Sequence, residues 1–198
     1  MDGEKNQGTE YGAGNSSKRS YKTVRFNGRW FDMYLQAHFS DVPFQGKSIA
    51  QYGCSAVAFA TVMSGFDDSI TVEDAATMVT ERSFTGIKRA LDSCGMDYTR
   101  EYRFNSCDSY RKDLLQPHID RIKDDFLGNG WPVIMLINGD TAGEHKYAGS
   151  RHFITLLGFD DDDNVIISNC RTDVGDLNEI LTKYCVSGGF YIAIKGKK

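Results

Sequence analysis

A cysteine preceded by glycine opens a long run of small and apolar residues, Gln51-Tyr52-Gly53-Cys54-Ser55-Ala56-Val57-Ala58-Phe59-Ala60-Thr61-Val62-Met63. Its spacing predicts a helix over 54–65, ended by Gly65. The Cys54 sulfur then sits over the first turn, where unpaired backbone N–H groups and the helix dipole favour an anion. Such a setting lowers a thiol's pKa and makes the thiolate available near neutral pH. A second signal lies downstream in Arg151-His152-Phe153-Ile154-Thr155-Leu156-Leu157-Gly158, a histidine opening an apolar strand.

A chain of 198 residues fits one domain with a substantial core. The net charge of -4 describes an ordinary surface, not the basic face that nucleic acid or an anionic membrane demands. No apolar stretch approaches the ~20 residues needed to span a bilayer. The Met-Asp-Gly start carries no signal-peptide core, so a signal or anchor is expected to lie outside the chain as given. Among Cys54, Cys94, Cys107, Cys170 and Cys185 no CxxC occurs, which leaves a zinc ribbon without support. One reactive thiol plus up to two disulfides suits an extracytoplasmic or secreted protein; five reduced thiols in a cytoplasmic one is the alternative.

Residues 1–20 are polar and rich in Gly, Ser and Asn, and are expected to form a disordered tail or linker. The folded body, 21–198, is then a single domain beginning near Tyr21. Thr71-Val72-Glu73-Asp74 reads as a helix N-cap, with a helix to about Arg82. Another helix spans 85–93, with Gly95 as its stop. A long one covers 109–127, with Leu114, Leu115, Ile119, Ile122 and Phe126 on one face. The continuous apolar run 132–137 reads as a buried strand, followed by strands over 153–159 and 165–168. Asp160-Asp161-Asp162-Asp163-Asn164 makes a hairpin turn between those two, and 189–194 is a closing strand. Helices first and antiparallel strands second gives the α+β class.

A thiolate mechanism needs a nucleophile, a base, a group that orients the base, and oxyanion donors. Cys54 suits the first role and His152 the second, since its ordinary pKa lies near working pH. Asn169 ends the strand that hairpins back beside His152, so its side-chain oxygen can reach the imidazole. Each residue alone has a plainer reading: a buried small apolar cysteine, a satisfied core histidine, a turn asparagine. Gln36 and Gln51 both stand before the nucleophile as oxyanion candidates. The acidic run 160–163 fails as an EF-hand loop, whose sixth and twelfth positions would be Val165 and Arg171. His145 and His152 have no partners completing a metal site, and His38 and His118 read as surface or structural residues. The combination needs no metal or organic cofactor.

Over roughly residues 30 to 194 these pieces resemble the papain-like cysteine peptidases, and more closely the bacteriocin-processing (double-glycine) peptidase-like family. Four segments carry the resemblance. Tyr34-Leu35-Gln36 is similar to the family's aromatic-x-Gln, whose amide helps form the oxyanion hole. Ile49-Ala50-Gln51-Tyr52-Gly53-Cys54 is similar to the approach to its nucleophile. His152 to Asp160 is similar to its histidine strand, and Ile166-Ile167-Ser168-Asn169-Cys170 to the strand that usually ends in Asp-Pro. The chain has Ser55-Ala56-Val57 where relatives carry Gly-Pro-Thr or Gly-Pro-Ser, and Asn169-Cys170 where they carry Asp-Pro. The resemblance implies a papain-like fold, its nucleophile helix packed on a C-terminal antiparallel sheet. It implies a bacterial thiol peptidase acting as a monomer on a peptide or protein, with Cys54, His152, Asn169 and Gln36 as catalytic residues. An acyl or peptidyl transferase on the same site, and an inactive binding module on the same fold, are the alternatives.

Overall fold

The computed structural model describes residues 10–104, 111–137, 151–170, 172–183 and 189–198. It opens with an antiparallel sheet of β1 (Glu10–Ala13), β2 (Lys22–Phe26) and β3 (Arg29–Met33). Asn27 and Gly28 join β2 to β3 with φ of 47° and 75°, the two positive values that a type I′ turn requires. This sheet corrects the expectation that helices come first. It also moves the start of the fold from Tyr21 to Glu10; residues 1–9 of the expected tail lie outside the described residues. Polar contacts, invisible to a search for apolar anchors, hold 10–20 in place. Arg19 bonds Asp41 and Glu73 at 2.6 Å each, and the Ser20 hydroxyl donates to buried Asp32 at 2.8 Å.

A short hairpin, β4 (Pro43–Phe44) and β5 (Lys47–Ser48), leads into α1 (Ile49–Tyr52) and then α2 (Cys54–Ser64). α2 matches the helix expected there, and every residue in it is buried. α3 (Val72–Met78) starts at the predicted cap, the Thr71 hydroxyl accepting from the Asp74 N–H at 3.1 Å. It stops four residues before Arg82, because Val79 leaves helical geometry at ψ 85° and Ser83 caps the next helix. That helix is α4 (Phe84–Ser93).

The large sheet comprises β6 (Met96–Tyr98), β7 (Tyr102–Phe104), β8 (Val133–Ile137), β9 (His152–Phe159), β10 (Val165–Ser168), β11 (Val174–Gly175) and β12 (Gly189–Lys197). Its strand order is β11-β10-β9-β8-β12-β6, with β7 also paired to β12. The expected turn closes β9 onto β10, the Asp160 N–H donating to the Asn164 carbonyl at 2.9 Å. α5 (Lys112–Asp120) passes into a π-helical turn, Arg121–Phe126, and α6 (Leu177–Lys183) precedes β12. Leu115, Ile119, Ile122 and Phe126 form the buried stripe of this arm. Leu114, one residue and about 100° round the helix from Leu115, is 38% exposed instead.

Both faces of the sheet are covered, which explains the unbroken apolar run of β8. Ile134, Leu136, Phe153 and Ile192 pack on α2, α3 and α4. Met135, Ile154, Leu156 and Tyr191 pack on the α5 arm and α6. The β1–β3 sheet closes the first layer, with Phe31 and Met33 against Leu157 and Ile166. The architecture is α+β. Phe59, fully buried in α2, has no room to be replaced by a void, so Phe59→Ala should destabilise the fold by about 3–5 kcal/mol. Urea unfolding of the variant beside wild type measures this.

Candidate active site

Gly53 stands between α1 and α2 because no side chain fits there. A Cβ at this position would lie 2.8 Å from the Ile49 Cα and 2.4 Å from its Cδ1. The close approach folds α1 against the head of α2 and leaves Cys54 as the first residue of that helix. Gln51, by contrast, is exposed on α1, where its Oε1 accepts from the Ser48 N–H at 3.4 Å.

Cys54 is only 1% exposed, and burial alone would push its thiol upward. A side-chain hydrogen bond with His152, the charges of His152 and Arg82, and a bond from the Phe153 backbone overcome that penalty and bring it down to about 7. The expected nucleophile and base therefore meet across the seam between α2 and β9.

His152 opens β9 as expected, and its Nε2 lies 2.6 Å from the backbone carbonyl of Asn169. A carbonyl only accepts, so Nε2 carries the proton and Nδ1 remains as the basic nitrogen. The partner here corrects the expectation of a side-chain contact. Asn169 has φ 67°, a left-handed geometry that asparagine tolerates, and its carbonyl is the oxygen that meets the ring. Its side-chain oxygen instead accepts from the Gln36 backbone N–H at 3.1 Å, while Nδ2 donates to the Phe153 carbonyl at 3.0 Å and to the Cys54 carbonyl at 3.5 Å.

Gln36 begins a 3-10 turn, Gln36–His38, and joins the cluster through that backbone bond. Its Nε2 donates to the Ala50 carbonyl at 2.9 Å, using one of the two amide hydrogens. All four predicted residues are thus brought into one hydrogen-bonded cluster. The plain readings suit His38, exposed with its ring edge-on to Tyr21, and His118, whose Nδ1 lies 2.7 Å from the Tyr191 hydroxyl. His145 lies outside the described residues.

Sequence reasoning missed Arg82. Its Nε donates to the Cys54 sulfur at 3.2 Å, and its guanidinium sits 4.9 Å from the centre of the Tyr52 ring. No spacing rule could have found it, because it lies in the irregular connection between α3 and α4. A cleft of about 330 Å³ adjoins it, lined by Tyr52, Arg82, Phe84, Phe153 and Phe190 among others. Cys94 and Cys170 are free thiols, and burial pushes both upward in pKa. That leaves neither in the disulfides considered for them, and Cys107 and Cys185 lie outside the described residues.

No curated protein matches the chain. Among solved structures, the Salmonella effector SpvD (G161 variant) is similar at 14% identity and a TM-score of 0.37, over 71% of this chain. The chain spans 66% of that protein's length. Residues 29–184, which include α2, β9, β10 and every member of the cluster above, match the Peptidase_C39-like family. With that match and the arrangement of α2 on an antiparallel sheet, the chain belongs to the Peptidase_C39-like family and has its papain-like fold.

Proposed function

We propose that this protein is a cysteine peptidase that hydrolyses peptide bonds through an acyl-enzyme on Cys54. The observation that carries the reading is a buried thiol held near pKa 7 beside an imidazole whose other nitrogen is already committed. The Cys54 proton passes to His152 Nδ1, and the thiolate attacks the scissile carbonyl. The carbonyl oxygen takes up the electron pair at the head of α2, where helix-start N–H groups point outward. The second Nε2 hydrogen of Gln36 is the other donor, from a side chain already tethered to Ala50. His152 then returns its proton to the departing amine, and water, activated by the same nitrogen, releases the acid. Asn169 holds the ring so that Nδ1 faces the sulfur throughout.

The reading is tested with a peptide library made from a proteome digest, mapping newly formed amino termini by mass spectrometry. Wild type should generate them and Cys54→Ser, with an unchanged circular dichroism spectrum, should not. Equal cleavage by the variant would sink the mechanism.

Alkylation by iodoacetamide needs no substrate. Its rate in wild type should rise with pH through a midpoint of about 7, since only the thiolate reacts and its population grows as pH passes the pKa. In His152→Ala the midpoint should move up to or beyond the ordinary thiol value of about 8.5, because burial then acts with less opposition. A midpoint left near neutrality would place the imidazole outside the ion pair.

Gln36→Ala should lower turnover by about 10²–10³ while Cys54 alkylation stays near normal, because the bond to the oxyanion forms in the transition state. Gln51→Ala should change little, given its exposed position on α1. Parallel kinetics on the two variants decide between them, and a crippled Gln51 variant would reassign the donor.

A further inference from the structure

The Cys54 sulfur has a second charged neighbour that the nucleophile–base scheme does not use. Arg82 reaches it from the connection between α3 and α4, an element separate from both α2 and β9. Its Nε donates to the sulfur at 3.2 Å, and its Nη2 donates to the backbone carbonyl of Arg151, the residue before His152. The guanidinium rests over the Tyr52 ring at 4.9 Å, within cation–π range. No hydrogen bond or ion pair to a carboxylate is made by Arg82 among the described residues. Two other charged groups line the cleft beside it. Glu101, across the cleft, is engaged by Lys88 at 3.2 Å, and the Arg151 side chain lines the same cleft. A half-buried arginine whose anionic partner is a cysteine sulfur has a specific use.

We infer that Arg82 is a further catalytic residue: it is the second counterion of the Cys54 thiolate and fastens the sulfur to the strand that carries His152. The fork geometry makes both contacts at once, which a lysine ammonium at the same place does less well. With two cations beside it the thiolate persists in a site that otherwise excludes charge. When the sulfur becomes a neutral thioester, Arg82 loses its anion, and it regains it as the acyl group leaves. The inference rests on Cys54 being the nucleophile, and it does not depend on what bond is cleaved.

The test is the pH profile of iodoacetamide alkylation on the full chain, with circular dichroism as the folding control. Arg82→Met and Arg82→Gln both remove the charge, and the glutamine retains a hydrogen-bond donor. Each should raise the alkylation midpoint by about 1 on the pH scale or more. At a pH well below both midpoints, a variant whose midpoint lies about 1 higher should react roughly tenfold more slowly. The profiles should converge where the thiol is fully ionised. Arg82→Lys should bring the midpoint most of the way back to that of wild type. An unchanged midpoint in the neutral variants, or a lysine variant as displaced as the methionine one, overturns the inference. A chain that cleaves no peptide yet shows these displaced midpoints would refute the hydrolase reading alone.

Discussion

The constraint on which the structure turns is that α2 has no exposed face. A helix buried all round needs neighbours on every side, and α3, α4, β3, β8 and β9 supply them. Ala56, Ala58 and Ala60 keep the helix slim enough for close approach. Polar groups then set its register. The Thr155 hydroxyl donates to the Ala58 carbonyl at 3.3 Å, and Thr61 and Ser168 share a hydroxyl contact at 3.2 Å. Thr155 lies three residues beyond His152, and Ala58 four beyond Cys54. A bond between those two interior positions therefore ties the segments carrying Cys54 and His152 together from within the core.

The same burial creates the chemical difficulty that the site answers. Desolvation is the largest influence on Cys54 and acts against the thiolate. Only groups already fixed in place can offset it without a reorganisation cost at the moment of reaction. Asn169 does much of that fixing. Through its backbone it holds His152, and through its side chain it binds the Gln36 segment, the Phe153 backbone and, at longer range, the Cys54 backbone. One left-handed residue at the end of β10 thereby joins the N-terminal segment, α2 and the strand that begins at His152.

What could be read from the sequence followed from local rules. The glycine before Cys54, the all-apolar β8 and the Thr71 cap each encode an element within a few residues, and the β9–β10 hairpin explains why Asn169 comes beside His152. The N-terminal sheet has a local signal too, Asn27-Gly28 between Val24-Arg25-Phe26 and Trp30-Phe31, whereas its first strand, Glu10–Ala13, lies in a polar stretch with no apolar run to mark it. Two features were not legible. Which oxygen of Asn169 meets the imidazole depends on a single φ angle, and the sequence admits either. Arg82 sits in a connection whose path is set by where α3 ends and Ser83 begins the next cap, a matter of tertiary packing.

Buried polar groups show where packing yields to chemistry. Asp32, Thr61, Ser64, Thr155, Ser168 and Asn169 are buried and hydrogen-bonded. Among the described residues, the buried side-chain atoms without a partner are Gln36 Oε1 and Ser55 Oγ. Each such group costs about 1–3 kcal/mol. Ser55 directly follows Cys54, and Gln36 is tied to the Asn169 side chain and the Ala50 carbonyl. The Gln36 amide cannot satisfy its oxygen by turning over, because that would set the oxygen against the Ala50 carbonyl. Its donor end is thus held in one orientation at the expense of its acceptor end. That arrangement lowers stability, and it is the one that the proposed role of Gln36 requires: an N–H fixed in place before an anion arrives.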